Sequence, residues 1–147
     1  MPFLPRLQKI ERSGLGVIIR SSLKGGFLIG KYSRDTVFSD SNDQRSKLSL
    51  QDRNKLFDQI DAMRFLEQDC GSLALAAARY PLSFAATSTV LLGTKTEAQA
   101  RFNFGKVPGG RLSEDNLQRI QSAQKQLGLW PAAWKLWLQT LKNKLRP

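Results

Sequence analysis

Apolar positions divide the chain into two short β-like runs set among helical periodicities. Val17-Ile18-Ile19 is continuous and β-branched, the pattern of a strand buried on both faces. Ser88-Thr89-Val90-Leu91-Leu92 predicts a second buried strand. Ser13-Gly14-Leu15-Gly16 closes a helix ahead of the first strand, since glycine is favoured where helices stop. Leu50, Leu56, Phe57, Ile60, Met63 and Leu66 recur at roughly helical spacing and predict one helix from Ser49, broken by Gly71-Ser72. Residues 73–80 are rich in Ala and Leu and predict another, which Pro81 is expected to end or kink. Thr96 with Gln99 forms a capping box opening a helix over 97–104. Ser113 with Asn116 starts a helix over 114–127, and a last helix covers 131–145. Residues 33–47 and the Pro/Gly segment Lys106 to Gly110 read as loops.

The resulting order is α-β-loop-α-α-β-α-α-α, an α/β chain. Strands separated by helices predict parallel pairing with right-handed crossovers. Two such strands cannot cover themselves, because parallel strands are buried on both faces. The pattern therefore predicts part of a larger β/α assembly, with open strand edges that favour aggregation, dimerisation or a partly molten state.

Composition narrows the chemistry. The chain has 147 residues, no His and a single Cys. That excludes a Ser-His or Cys-His pair, a histidine base, an internal disulfide and a Cys-only zinc site. No apolar run approaches the roughly 20 residues that span a bilayer, and the start lacks the apolar stretch of a secretory signal, so a cytoplasmic protein is expected. The net charge is +11, but it sits at the ends: residues 1–34 and 119–147 are basic while 35–118 is nearly balanced. No nucleic-acid module accompanies it, so no specific nucleic acid is expected, and the basic ends suit an anionic cofactor, a membrane surface or an acidic partner.

Both predicted strands run into a glycine-containing loop carrying hydroxyls and bases. The first offers Arg20, Ser21, Lys24, Gly25 and Gly26; the second offers Gly93, Thr94, Lys95 and Thr96 at a helix start. Unpaired N–H groups and the positive end of a helix attract phosphates, while Lys supplies charge. Taken singly, each loop also reads as a glycine turn or a capped surface helix with solvated lysines. Two such loops at equivalent ends of successive strands favour anion binding.

Gly16-Val17-Ile18-Ile19-Arg20-Ser21-Ser22-Leu23-Lys24-Gly25-Gly26-Phe27-Leu28-Ile29-Gly30-Lys31-Tyr32 resembles the strand-seven segment of the aldo/keto reductases. Asp43-Gln44-Arg45 is similar to the D-x-R loop that follows it. Ala74 to Asn103, through Ser88-Thr89-Val90 and Gly93-Thr94-Lys95-Thr96, resembles the family's strand-eight region. The resemblance implies an incomplete (β/α)8 TIM barrel of two parallel strands with flanking helices, and an NADP-dependent oxidoreductase. It implies Arg20, Ser21, Leu23 and Gly26 in the first cofactor loop, with Ser21, Leu23 and Gly26 along the pyrophosphate. Lys95 and Thr96 would hold the adenosine 2′-phosphate, and Gln99 and Asn103 would face the adenine. Ser22 stands where proline is usual, Phe102 where a Glu precedes Asn103, and Pro81 where the family has an aliphatic residue.

The family's catalytic Asp, Tyr, Lys and His belong to its early strands, and no residue here matches them. Neither Tyr32 nor Tyr80 occupies the catalytic tyrosine's place. The expectation is a C-terminal portion of such an enzyme, over residues 1–127, retaining part of the cofactor site without the acid. Its partners would be NADP(H) and either a chain supplying the missing strands or a second copy. Residues 128–147 form a separate basic segment in which Trp130, Trp134, Trp137, Leu138, Leu141 and Leu145 share one helical stripe. That stripe packs on the protein's own body or, in the alternative reading, makes 129–147 a module docking on a membrane or acidic partner.

Overall fold

A computed structural model of the chain describes residues 9–129. The predicted helix at 131–145 and its tryptophan stripe lie outside these residues. Residues 9–12 are helical, and Gly14, at φ +69°, turns the chain out of that helix as expected.

Two strands follow in the predicted places, β1 (Ile18–Ile19) and β2 (Thr89–Val90), paired in parallel with Ile18 opposite Thr89 and Ile19 opposite Val90. The Val17 carbonyl accepts from the amides of both Ser88 and Thr89, and Leu91 donates to the Ile19 carbonyl at 2.8 Å. The Ser88 hydroxyl extends the pairing by accepting from the Val17 amide at 2.9 Å. The expected burial on both faces is corrected here: Ile18 is 65 % exposed and Leu91 58 %. Among the described residues the sheet has only these two strands, so no further strand pairs with either edge.

Four helices open on a hydroxyl that accepts from an amide three residues on, satisfying one of the first-turn donors. Ser49 caps α1 (Leu50–Asp61), Ser72 caps α3 (Leu73–Leu82), Thr96 caps α4 (Glu97–Arg101) and Ser113 caps α5 (Glu114–Gln126). The single helix predicted after Ser49 is two, because the chain turns at 62–64 before α2 (Phe65–Cys70). Arg64 pairs with Asp61 and Glu67 across that turn, and Arg34 holds Asp58 and Asp61 from the preceding loop. Apolar spacing is preserved across the break, which is why periodicity alone reads it as continuous. Gly71, at φ +82°, ends α2. Helix α3 runs one residue past Pro81. Helix α4 is shorter than predicted and gives way at Phe102 to a wider π-type turn over Phe102–Lys106.

Helix α3 is the centre of the packing. Leu73 and Ala76 join Phe27, Phe57, Ile60, Leu66, Leu112 and Ile120 in the main core, while Leu75 and Ala78 pack with Val107 in a second cluster. Phe102 packs against that second cluster, which gives the aromatic ring at this position a structural use. The loop over 33–47 is exposed for the most part, but Phe38 reaches the main core.

Candidate functional site

The chain leaves β1 through Arg20 and folds the next residues into tight turns. Ser21 and Lys24 have φ of +61° and +50°, and Gly25 and Gly26 of +63° and +89°. The turns are closed by bonds from Lys24 N–H to the Ser21 carbonyl and from Gly26 N–H to the Leu23 carbonyl, both 2.9 Å. Left-handed backbone is costly for residues with a side chain, so the paired glycines sit where the chain needs it most. Phe27 anchors the loop beneath, edge-on to Tyr32, Phe38 and Phe57 at 5.8–6.0 Å.

At the end of β2 the chain passes through Gly93-Thr94-Lys95 into α4. The capping box is present in a shifted form: Thr96 accepts from Gln99 N–H at 3.3 Å, and Gln99 Oε1 accepts from the Lys95 amide at 2.6 Å. That amide is therefore spent, and Lys95 offers an anion its side chain. Asn103 is buried, 8 % exposed, and donates to Thr94 Oγ1 at 2.8 Å and to the Gly93 carbonyl at 3.4 Å.

The two turns face one cleft of about 600 Å³, within the usual range of ligand pockets. Of the residues expected in a site, Ser21, Leu23, Gly26, Lys95 and Gln99 line it. Arg20, Thr96 and Asn103 do not: Arg20 and Thr96 are exposed, and Asn103 spends its amide on the turn. The hydroxyl of Ser22, also at the cleft, is buried without a hydrogen-bond partner.

Lys31, Tyr32 and Arg45 also line it. Sequence reasoning did not place them in the site. Arg45 lies 4.7 Å above the Tyr32 ring and 4.8 Å above Phe38, and donates to the Tyr32 hydroxyl. Asp43 clamps it through both carboxylate oxygens and also accepts from its amide. These bonds hold the Asp43 carboxyl below its ordinary range, with the positive charge of Lys95 adding to the effect, and raise the Arg45 guanidinium. The usable signal was the Asp43-x-Arg45 spacing itself, which lets a carboxylate fix a guanidinium in one rotamer.

The sequence model of the Aldo/keto reductase family matches residues 5–125. The chain belongs to the aldo/keto reductase family, a family of oxidoreductases. The two parallel strands with flanking helices agree with part of the (β/α)8 barrel that this family implies. Neither the curated proteins nor the solved structures give a significant match. Among the described residues, no helix is long and apolar enough to cross a membrane, and no cluster of three or more acidic or Cys side chains could hold a metal ion.

Proposed function

We propose that residues 9–129 form the NADP-holding side of an aldo/keto reductase barrel. One observation carries this reading: Ser21, Leu23 and Gly26 from the β1 turn share a cleft with Lys95 and Gln99 from the β2 turn. The chemistry of the donors fits a phosphorylated dinucleotide. The Ser22 and Leu23 amides take no hydrogen bond among the described residues, and the Ser22 hydroxyl is unpartnered. Ser21 and these amides would take the pyrophosphate, and Lys95 would take the 2′-phosphate as a charge-assisted contact. Arg45, held by Asp43 against two aromatic rings, offers a cationic group to the same region. The cofactor supplies a hydride when bound.

Reduction of a carbonyl also needs a proton, and this chain is assigned no donor. Tyr80 is held by Gln124, and burial raises its hydroxyl above the ordinary range. Tyr32 is committed to Arg45. The missing acid would come with further strands, for which the open edges of β1 and β2 leave room. A cytoplasmic location belongs to the same proposal, while docking of 129–147 on a membrane or an acidic partner is the rival reading.

The test is a fluorescence titration of the full chain with NADPH and with NADH. Saturable binding of NADPH, weakened about tenfold by Lys95→Ala with NADH unaffected, is expected from the loss of one charge-assisted contact. Absence of saturable NADPH binding overturns the reading.

A further inference from the structure

An apolar groove of about 370 Å³ lies between α1, α3 and the C-terminal part of α5. Leu56 and Ile60 border it from α1, Ala77 from α3 and Ile120 from α5, with Met63 at the turn between α1 and α2. Lys24 is the one charged residue among the described residues that line it. Packed interiors leave few voids larger than a water molecule. A hollow of this size, continuous with the main core through Ile60 and Ile120, is therefore a face for another apolar surface to cover.

The end of α5 delivers the chain to this place. Gly128, at φ +66°, donates to the Lys125 carbonyl at 3.0 Å, and the Leu129 amide donates to the Gln124 carbonyl at 2.9 Å, the paired bonds of a Schellman turn. Gln124 and Leu129 both line the groove, and Leu129 is still 45 % exposed. The next residue is Trp130, whose Cα follows at about 3.8 Å. From there to Pro147 the sequence places Trp130, Trp134, Trp137, Leu138, Leu141 and Leu145 on one helical stripe, with Lys135, Lys142 and Arg146 off it. The stripe is tethered beside the groove, so its effective concentration there is high. An acidic partner or an anionic surface would engage only the cations and leave both apolar faces in water, at a cost that grows with their area.

We infer that the groove is the seat of the chain's own C-terminal segment, residues 130–147, with the tryptophan stripe turned into it and the cations outward. Ser21 and Ser22 border both this groove and the cleft between the strand turns, but docking here does not depend on what that cleft holds.

All three tryptophans of the chain belong to that segment, so the intrinsic tryptophan fluorescence of the full chain reports on it alone. Acrylamide quenching is expected to be several-fold weaker in the native chain than in urea, and equally so at every protein concentration. Ala77→Lys places a cation in the groove against a basic segment, at a half-buried position of α3. It should bring quenching most of the way to the unfolded value with far-UV circular dichroism unchanged, and Met63→Lys, outside the helices, repeats the test. The double variant Trp134→Lys, Trp137→Lys alters no described residue, yet should lower the urea midpoint by about 1 M or more through the lost apolar burial. Four results overturn the assignment: native quenching as strong as in urea; protection that appears only with anionic lipid vesicles or polyglutamate, or that grows with protein concentration as a second copy would require; quenching unmoved in the folded groove variants; and an unmoved midpoint in the double variant.

Discussion

Asn103 and Thr94 are joined across the turn that follows β2, the Asn103 amide donating to Thr94 Oγ1 at 2.8 Å from a buried position. The turn after β2 is thus pinned by a residue of the π-type turn. The family resemblance points this asparagine at the adenine. In the structure its side-chain amide fixes the loop from which Lys95 projects.

Replacing Asn103 with Leu leaves the Thr94 hydroxyl and the Gly93 carbonyl to find other partners. The expected loss is about 1–3 kcal/mol of stability, in the range for a buried hydrogen-bonded group left unpaired. Urea unfolding of the two proteins measures it. NADPH affinity should fall in the same variant with Lys95 intact, because the turn that carries Lys95 is no longer held.

Gly26 has φ of +89°, and a Cβ there would meet Arg45 and Tyr32 only at ordinary van der Waals distances of 3.7–3.8 Å. The cost of Gly26→Ala is therefore backbone strain rather than collision, and about 1–2 kcal/mol is expected. Gly105→Ala, whose Cβ meets nothing within 4 Å and whose φ is not left-handed, is the control. Equal unfolding midpoints for the two variants would contradict this account.

The Asp43–Arg45 clamp makes stability depend on pH with a definite sign. Hydrogen bonds from Arg45 lower the Asp43 carboxyl from its ordinary 3.8, so the folded form binds that proton less readily than the unfolded one. The stabilisation is complete above the ordinary carboxylate value and disappears as pH falls through the lower folded-state value. Asp61, lowered by Arg64 and Arg34, acts in the same direction. Denaturation of wild type and Asp43→Asn between pH 7 and pH 2 should show the wild-type advantage at neutral pH shrinking as the solution is acidified.

Ile18 and Leu91 present apolar side chains beside strand edges that are unpaired among the described residues, a combination that templates association. Ile18→Lys and Leu91→Lys are expected to reduce concentration-dependent self-association, seen by light scattering. Their thermal midpoint should stay within about 1–2 °C of wild type, since exposed substitutions usually change stability little. An unchanged association constant would show that these edges do not mediate contact between copies.

Local signals were legible wherever one short-range interaction decides the structure. Ser49, Ser72, Thr96 and Ser113 mark helix starts because a hydroxyl satisfies an amide three residues away. The β-branched runs at Val17 and Val90 mark strands, and Gly14 and Gly71 mark helix ends, because few other residues suit those backbones. The break at 62–64 was not legible: the apolar spacing continues through it, while the ion pair of Asp61 with Arg34 depends on a loop more than twenty residues earlier. Arg45 was missed in the site for a related reason. Its place over Tyr32 and Phe38 follows from how the loop returns to the core, whereas the sequence shows the Asp43-x-Arg45 spacing but not what it packs against.

By itself, the sequence determined the strands, the capped helix starts, the parallel order and the family, since these rest on propensity, capping and patterns within a few residues. Tertiary structure alone decided that Ser21 and Lys95, 74 positions apart, line one cleft while Asn103 turns inward. It also decided that Ile18 and Thr89 stay exposed. Both outcomes depend on which surfaces meet across the whole chain, and burial of a residue is set by its neighbours in space rather than by its own chemistry.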